Sequence, residues 1–346
     1  MKRHARGLWI LIFVFFLSHC PASVRAENLP SDEEIQKKIE DAQAFYQAKY
    51  RVIEDQVNQM FGINFSELKK QYEVKMNEIN MKMSIIEKID NPIEKDIKTK
   101  ELQNEYQDPE LYKYIEANSF YENEIEKDHM FVGELLDRLE KILETVVQKD
   151  PIFKYAYYSG EFKSHYGLVL KRVVWSSTTL QNVSAETSPI NVHSVFGDKT
   201  KIPALIKYTP IAFFNLAFLR SIVIHELNHA CFYKDPGFSD VTQFSGGATE
   251  KAEGNATHYF KSLNPYNPTY QYHLIHEYYS FKTQLIFDSL AENTPYFRLD
   301  AANKQNTENM LNWTYSQFND SNKKFVADHP DPPIMKIINK FYPKTS

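Results

Sequence analysis

The stretch Ser221–Phe232 reads SIVIHELNHACF. His225 and His229 stand four residues apart in an otherwise apolar run, with Glu226 directly after the first histidine. Residues four apart on a helix project from the same face, so the two imidazoles can take adjacent corners of a tetrahedral zinc site. Glu226 lies about 100° round the helix from His225, where it can reach a metal-bound water without being a ligand. The stretch therefore predicts a buried helix that carries the HExxH pattern of metalloproteases.

The neighbours of the two histidines strengthen this interpretation. They would bury the helix on most sides: Ile222, Val223, Ile224, Leu227 and Ala230. Burying a histidine without a partner is costly, and coordination to a metal ion would supply the partner. A pair of hydrogen-bonded core histidines is the alternative. Cys231 is expected to be a neutral buried thiol.

A catalytic zinc also needs a third protein ligand and an open position for water. The segment EKAEGNATHYF, residues 250–260, has a helical pattern and follows the HExxH stretch. HExxH followed by a helix reading E-G-x-A-x-x-Y/F resembles the gluzincin branch of the zinc metallopeptidases. The resemblance covers roughly residues 200–290 and is closest over residues 221–260. It implies that Glu253 is the third ligand, and that Ala256 is the small residue that lets this helix pack against the active-site helix.

Other residues compete with Glu253 for that role. Glu250 lies one turn earlier on the same face, and whichever of the two carboxylates is not a ligand would orient a histidine. Asp235 falls at the last position of a metzincin variant, but Phe232 stands where that pattern needs glycine for a sharp turn. Gluzincins commonly add a Tyr or His that stabilises the oxyanion, and the sequence leaves six candidates open: His258, Tyr259, His273, His276, Tyr278 and Tyr279. The segment HLIHEYY, with His273, His276 and Glu277, is not an inverted zinc motif, and its two histidines are expected to be surface or core residues.

The rest of the chain predicts an α+β protein in which a zincin-like catalytic domain follows a helical N-terminal region. Helical periodicity runs from Ser31 to about Ile89 with a break at FGINFS. Residues from about 93 to 149 also have a helical, heavily charged pattern, and the segment 131–150 is clearly amphipathic. After Pro151, β-branched and aromatic residues predict strands within 167–180, 189–196 and 201–209. Pro203 suggests that the last of these is an edge strand or starts late, and we expect it to bind an extended peptide by strand addition. Helices follow to the C-terminus. The predicted organisation is a signal peptide at 1–26, the helical region at 27–150 and the metallopeptidase domain at 151–346.

The N-terminus predicts export. Basic MKRHAR precedes eleven apolar residues and a small-residue site ending at Ala26, the order of a signal peptide. A lipid anchor at Cys20 is the alternative, and no later stretch is long and apolar enough to span a membrane. A net charge of −5 gives no basic footprint for nucleic acid. The expected location is periplasmic or extracellular.

These observations predict an exported zinc metalloendopeptidase with one Zn²⁺ per chain, His225, His229 and Glu253 as ligands, and Glu226 as general base. No segment resembles the extra motif that gluzincin aminopeptidases use for the substrate amine, which favours an endopeptidase. Its partner would be a peptide or protein substrate. Two alternatives stay open: a zinc-binding protein without turnover, and a helical envelope or secreted interaction protein with an accidental HExxH.

Overall fold

A computed structural model describes residues 29–86, 89, 91–105, 109–175, 183–189, 204–232, 268–290 and 298–343. Over this part of the chain the protein is mostly helical, with one small mixed sheet. That arrangement is compatible with the predicted α+β class. The predicted signal peptide, the second predicted strand beyond Pro189 and the helix predicted at 248–263 lie outside the described residues.

Five helices form the N-terminal half: α1 (Asp32–Phe61), α2 (Phe65–Ile86), α3 (Pro92–Glu105), α4 (Pro109–Lys127) and α5 (His129–Lys149). The Ser31 hydroxyl accepts from the Glu34 N–H while the Glu34 carboxylate accepts from the Ser31 N–H, a capping box that satisfies two orphan donors. At the other end of α1, Gly62 adopts the left-handed conformation (φ 60°) that stops the helix. The break predicted in FGINFS is confirmed.

Two short helices, α6 (Pro151–Tyr158) and α7 (Gly160–Tyr166), lead into a three-stranded sheet. Its strands are β1 (Val169–Val173), β2 (Ala185–Pro189) and β3 (Ala204–Tyr208). The strand order is β1-β3-β2, with β3 parallel to β1 and antiparallel to β2.

The sheet corrects one prediction. β3 pairs on both sides, so the prediction that residues 201–209 form an edge strand open to an added peptide is wrong. β3 begins at Ala204, directly after Pro203, which agrees with the late start that the proline allowed. β2 was not predicted, because SAETSP lacks the β-branched run that marks a strand.

After the sheet, a short 3₁₀ turn (Pro210–Phe213) leads into α8 (Leu216–Phe232), which carries the HExxH stretch. The remaining helices are α9 (Pro268–Leu290), α10 (Ala301–Ser316), α11 (Asp320–Asp328) and α12 (Met335–Phe341). α8 packs most extensively against α9, and it also contacts β2 and α1. The helix that carries HExxH is therefore surrounded, and nearly all of its side chains are buried.

The N-terminal helix α1 holds the start of α8. The Gln36 side-chain oxygen accepts from the Leu216 N–H at 2.9 Å, and Gln43 donates to the carbonyls of Phe213 (2.9 Å) and Phe214 (2.7 Å). These bonds satisfy backbone groups that a helix terminus leaves unpaired. One hydrophobic core continues from Ile35 and Ile39 in α1 to residues of α12. The domain division at residue 150 remains a prediction, but these contacts tie the regions on either side of it together.

An ion-pair network reinforces the same junction. Arg220 of α8 is buried, and its guanidinium donates to both Asp32 oxygens at 2.9 and 3.2 Å. Lys149 reaches Asp32 at 2.7 Å. Burial alone would raise the pKa of Asp32, but the bonds and charges of Arg220 and Lys149 outweigh it and lower that pKa. Asp32 is therefore ionised at neutral pH and balances the buried Arg220.

Asp150 is buried beside this network, at the joint between α5 and α6. Its Oδ1 accepts from the N–H groups of Ile152 (2.9 Å) and Phe153 (3.3 Å), which caps α6. Burial raises its pKa from 3.8 to about 6 against the lowering effect of these bonds and of Arg220. The folded protein therefore holds this proton more tightly than the unfolded chain. The contribution of Asp150 to stability therefore falls as pH rises from about 4 to 6, by about 3 kcal/mol at roughly 1.4 kcal/mol per pH unit.

Across the described residues, none of the helices combines the length and apolar character that crossing a membrane requires.

Candidate metal centre

The two histidines of HExxH lie on one face of α8, as predicted. Their Nε2 atoms are 3.2 Å apart, and both rings are buried. The start of α8 is fixed by Asn215, whose side-chain oxygen accepts from the Phe218 N–H at 2.7 Å. The local sequence therefore decides the pairing of the histidines, and the packing of α1, α9 and β2 decides their burial.

A glutamate that the sequence did not single out as a ligand completes the group. Glu277 of α9 places Oε2 3.4 Å from His225 Nε2 and Oε1 3.5 Å from His229 Nε2. His225, His229 and Glu277 together could hold a metal ion, since one ligand atom from each lies within 4.8 Å of the others. This is a set of two imidazole nitrogens and one carboxylate oxygen.

The spacing of the two histidine nitrogens fits a tetrahedral ion. Bonds of about 2.0–2.1 Å at the tetrahedral angle separate two ligand atoms by about 3.3 Å. The two Nε2 atoms are 3.2 Å apart, and Glu277 approaches each of them with a different oxygen, at 3.4 and 3.5 Å. The carboxylate therefore faces both nitrogens and could supply one oxygen to a small divalent cation held between them.

The predicted third ligand Glu253 lies outside the described residues, as do its competitors Glu250 and Asp235. Their roles remain predictions. The sequence did carry a signal for Glu277: the polar residues His273, His276, Glu277, Ser280 and Gln284 of α9 are spaced by one, three and four positions. Such a stripe indicates a helix face turned toward other polar groups.

Side chains of α9 also contact the Nδ1 atoms of both histidines, the ring nitrogens that do not face Glu277. Gln284 Oε1 is 3.0 Å from His225 Nδ1, and His276 Nδ1 is 3.3 Å from His229 Nδ1. Both Nε2 atoms thus face Glu277, while both Nδ1 atoms are held by neighbours on the same helix. Partners of this kind orient metal ligands and set which nitrogen carries the proton.

The electrostatics of the group favour a positive charge between the ligands. Burial alone would raise the pKa of Glu277, but the surrounding histidines outweigh it and hold that pKa well below its ordinary value. Burial lowers the pKa of His229 to about 3, so this imidazole is neutral at pH 7. Burial also opposes charge on His225, but Glu277 raises its pKa above the ordinary value. An ionised carboxylate facing a neutral imidazole is the protonation state that metal binding requires.

Glu226, the predicted general base, lies beside the group and does not join it. Thr187 of β2 donates to its Oε2 at 2.6 Å. Burial raises the pKa of Glu226 to about 7, against the lowering effects of His225 and Thr187. The carboxyl can therefore take up and release a proton near neutral pH, as a general base must.

The predicted oxyanion residues are dispersed. His273 is exposed, with Nε2 3.6 Å from Glu277 Oε1, and His276 is buried against His229. Tyr279 bonds the backbone of His329, and Tyr278 packs against Tyr315. His258 and Tyr259 lie outside the described residues. The oxyanion-stabilising role remains unassigned. The buried position expected for Cys231 is confirmed.

Comparisons with protein-family models, curated proteins and solved structures gave no match to this chain. The functional argument therefore rests on the geometry and chemistry of the site.

Proposed function

We propose that the protein is a zinc metallopeptidase with a zincin-like catalytic region, in which His225, His229 and Glu277 bind Zn²⁺ and Glu226 is the general base. The observation that carries the proposal is the approach of Glu277 to both histidines of a buried HExxH helix, at 3.4 and 3.5 Å. Two histidines and one glutamate form a ligand set of catalytic zinc sites, which leave the fourth position for water. The resemblance to gluzincins stays part of the proposal, with Glu277 in place of Glu253 as the third ligand.

The proposal names zinc because of the donor atoms. Imidazole nitrogens suit zinc, copper, iron and nickel, whereas magnesium and calcium prefer sites made of oxygen atoms alone. The 3.2 Å spacing of the two imidazole nitrogens, close to that of neighbouring ligands in a tetrahedral site, favours zinc within the first set. One ion per chain is expected.

In this proposal the residues around the ion have separate roles. When bound, zinc would polarise the scissile carbonyl and acidify a water molecule. Glu226 accepts the proton of the attacking water and delivers it to the leaving amine. Thr187 holds the Glu226 carboxylate through one oxygen and leaves the other oxygen for the proton transfer.

The proposed substrate is a peptide or protein in extended form. β2 is at the edge of the described sheet, and its Thr187 contacts the general base. Main-chain pairing with β2 would therefore bring a peptide beside Glu226. We also propose that the protein is exported, on the strength of the basic, apolar and small-residue order at its N-terminus.

The first experiment is the zinc content of the purified chain, residues 27–346, by elemental analysis. The proposal requires about one zinc per chain. No zinc, even after refolding with metal supplied, would mean that the histidines serve packing and that the peptidase proposal should be dropped. Zinc without hydrolysis of any peptide library would point to a binding protein without turnover.

A further inference from the structure

On the basis of the proposed metal site, we infer that Gln284 is a positioning residue for the metal ligand His225. Its side-chain oxygen holds the proton of His225 on Nδ1 and so leaves the lone pair of Nε2 directed at the ion. Gln284 is not itself a ligand, because its amide faces the outer nitrogen of the ring.

The contacts of Gln284 carry this inference. Its Oε1 is 3.0 Å from His225 Nδ1, and its Nε2 donates to Ser221 Oγ at 2.8 Å. Gln284 and Ser221 are each 4% exposed, so water does not compete for these bonds. Ser221 lies one turn before His225 on α8, on the same face of the helix. The amide therefore bridges two positions of the active-site helix from α9.

The orientation of the amide decides the chemistry of the ring. With Oε1 toward Nδ1, the ring nitrogen must donate, and His225 Nε2 is an acceptor that can bind a metal. With the amide reversed, Nδ1 would accept and Nε2 would carry the proton toward Glu277. The structure has the first orientation, in which the amide N–H donates to Ser221 Oγ at 2.8 Å.

Gln284 differs from a carboxylate in one respect that can be measured. A carboxylate at this place would fix the same tautomer and would also make the imidazole more basic, whereas an amide oxygen is neutral. Replacing Gln284 by glutamate should therefore preserve or tighten metal binding. A residue that only fills space would not show this difference.

The test uses the full chain and Zn²⁺ alone, with affinity measured by competition against a chromophoric chelator. Gln284→Leu should bind zinc about 10- to 100-fold more weakly. Gln284→Glu should bind within about threefold of the unsubstituted protein or more tightly, by the same argument. Thr283→Val is the matched control, since Thr283 is buried on the same helix but its hydroxyl bonds only the Tyr279 carbonyl in the described structure. Its zinc affinity should be unchanged.

A second measurement follows the tautomer directly. In the zinc-loaded protein, ¹⁵N-imidazole NMR should show His225 protonated at Nδ1, with a slowly exchanging proton that Gln284→Leu loses. Should Gln284→Leu fail to fold, Ser221→Ala retains Gln284 but removes the group that orients it, and should weaken zinc binding and speed that exchange. Normal zinc affinity in folded Gln284→Leu, or equal losses in Gln284→Leu and Gln284→Glu, would overturn the inference.

These outcomes are distinct from failure of the proposed function. If the unsubstituted protein binds no zinc, the metal site itself is wrong. If it binds zinc and Gln284→Leu binds equally well, only the positioning role is lost. Neither measurement depends on peptide hydrolysis.

Discussion

Replacing Glu277 by glutamine should greatly weaken zinc binding. The substitution keeps the size of the side chain and its capacity for hydrogen bonds, but it removes the negative charge. In the structure, the two Glu277 oxygens lie 3.4 and 3.5 Å from the two Nε2 atoms, one oxygen facing each nitrogen, so the carboxylate is next to an ion that the histidines would hold.

The size of the effect follows from the burial of the group. Removing one charged partner of a buried ionic pair costs about 3–5 kcal/mol, because the other charge is left uncompensated. The Glu277 side chain retains 25% exposure, which favours the lower end of that range. About 3 kcal/mol corresponds to a loss of somewhat more than a hundredfold in zinc affinity.

The assay is chelator competition on full-length chains that carry Glu277→Gln or Glu253→Gln. Glu253→Gln is the control, because Glu253 is the ligand that the gluzincin resemblance implies. The third-ligand assignment requires a loss with Glu277→Gln and near-normal affinity with Glu253→Gln. The reverse result would refute it and return the role to Glu253.

Three further predictions concern the proposed general base Glu226, the buried acid Asp150, and Asp32 at the junction between α1 and α8. Glu226→Gln should keep a zinc affinity within a few-fold of the unsubstituted protein and abolish peptide hydrolysis. Glu186→Gln is the control and should remain active, since Glu186 is a neighbouring strand residue paired with Lys207 at 3.9 Å. Normal turnover in Glu226→Gln would refute the proposed mechanism. Asp150→Asn should keep the cap of α6 and raise the free energy of unfolding by about 3 kcal/mol above pH 6, because burial penalises only the charged acid. Near pH 4 the variant and the unsubstituted protein should be equally stable in urea. Equal stability at pH 7 would contradict the raised pKa of Asp150. Asp32→Asn should destabilise the fold by about 3 kcal/mol in urea unfolding, because the buried Arg220 loses its ion pair with Asp32. A change below about 1 kcal/mol would show that the fold does not depend on this ion pair.

Several features of this protein follow from the sequence alone, because they depend on residues close together in the chain. Helical periodicity and caps indicated α1, α2 and α5. The same periodicity placed His225 and His229 on one face, since a spacing of four residues is almost one turn wherever the helix lies. The apolar neighbours of the histidines predicted their burial.

The proposed third ligand could be identified only from the tertiary structure. Glu277 is 48 positions beyond His229, and its approach depends on the packing of α9 against α8. Periodicity identifies the polar face of a helix but not the helix that this face meets. The resemblance therefore directed attention to Glu253, a residue nearer in sequence.

Two other features were decided at long range. Thr187 reaches Glu226 from a strand that local sequence did not predict, and Gln36 caps α8 from 180 residues away. Both contacts join segments whose meeting is determined by the whole core, through burial that no short window of sequence specifies. The sequence by itself thus determined the helix and the pair of histidines. The tertiary structure decided which carboxylate, hydroxyl and amide meet them, because those groups come from distant segments that only the folded core brings together.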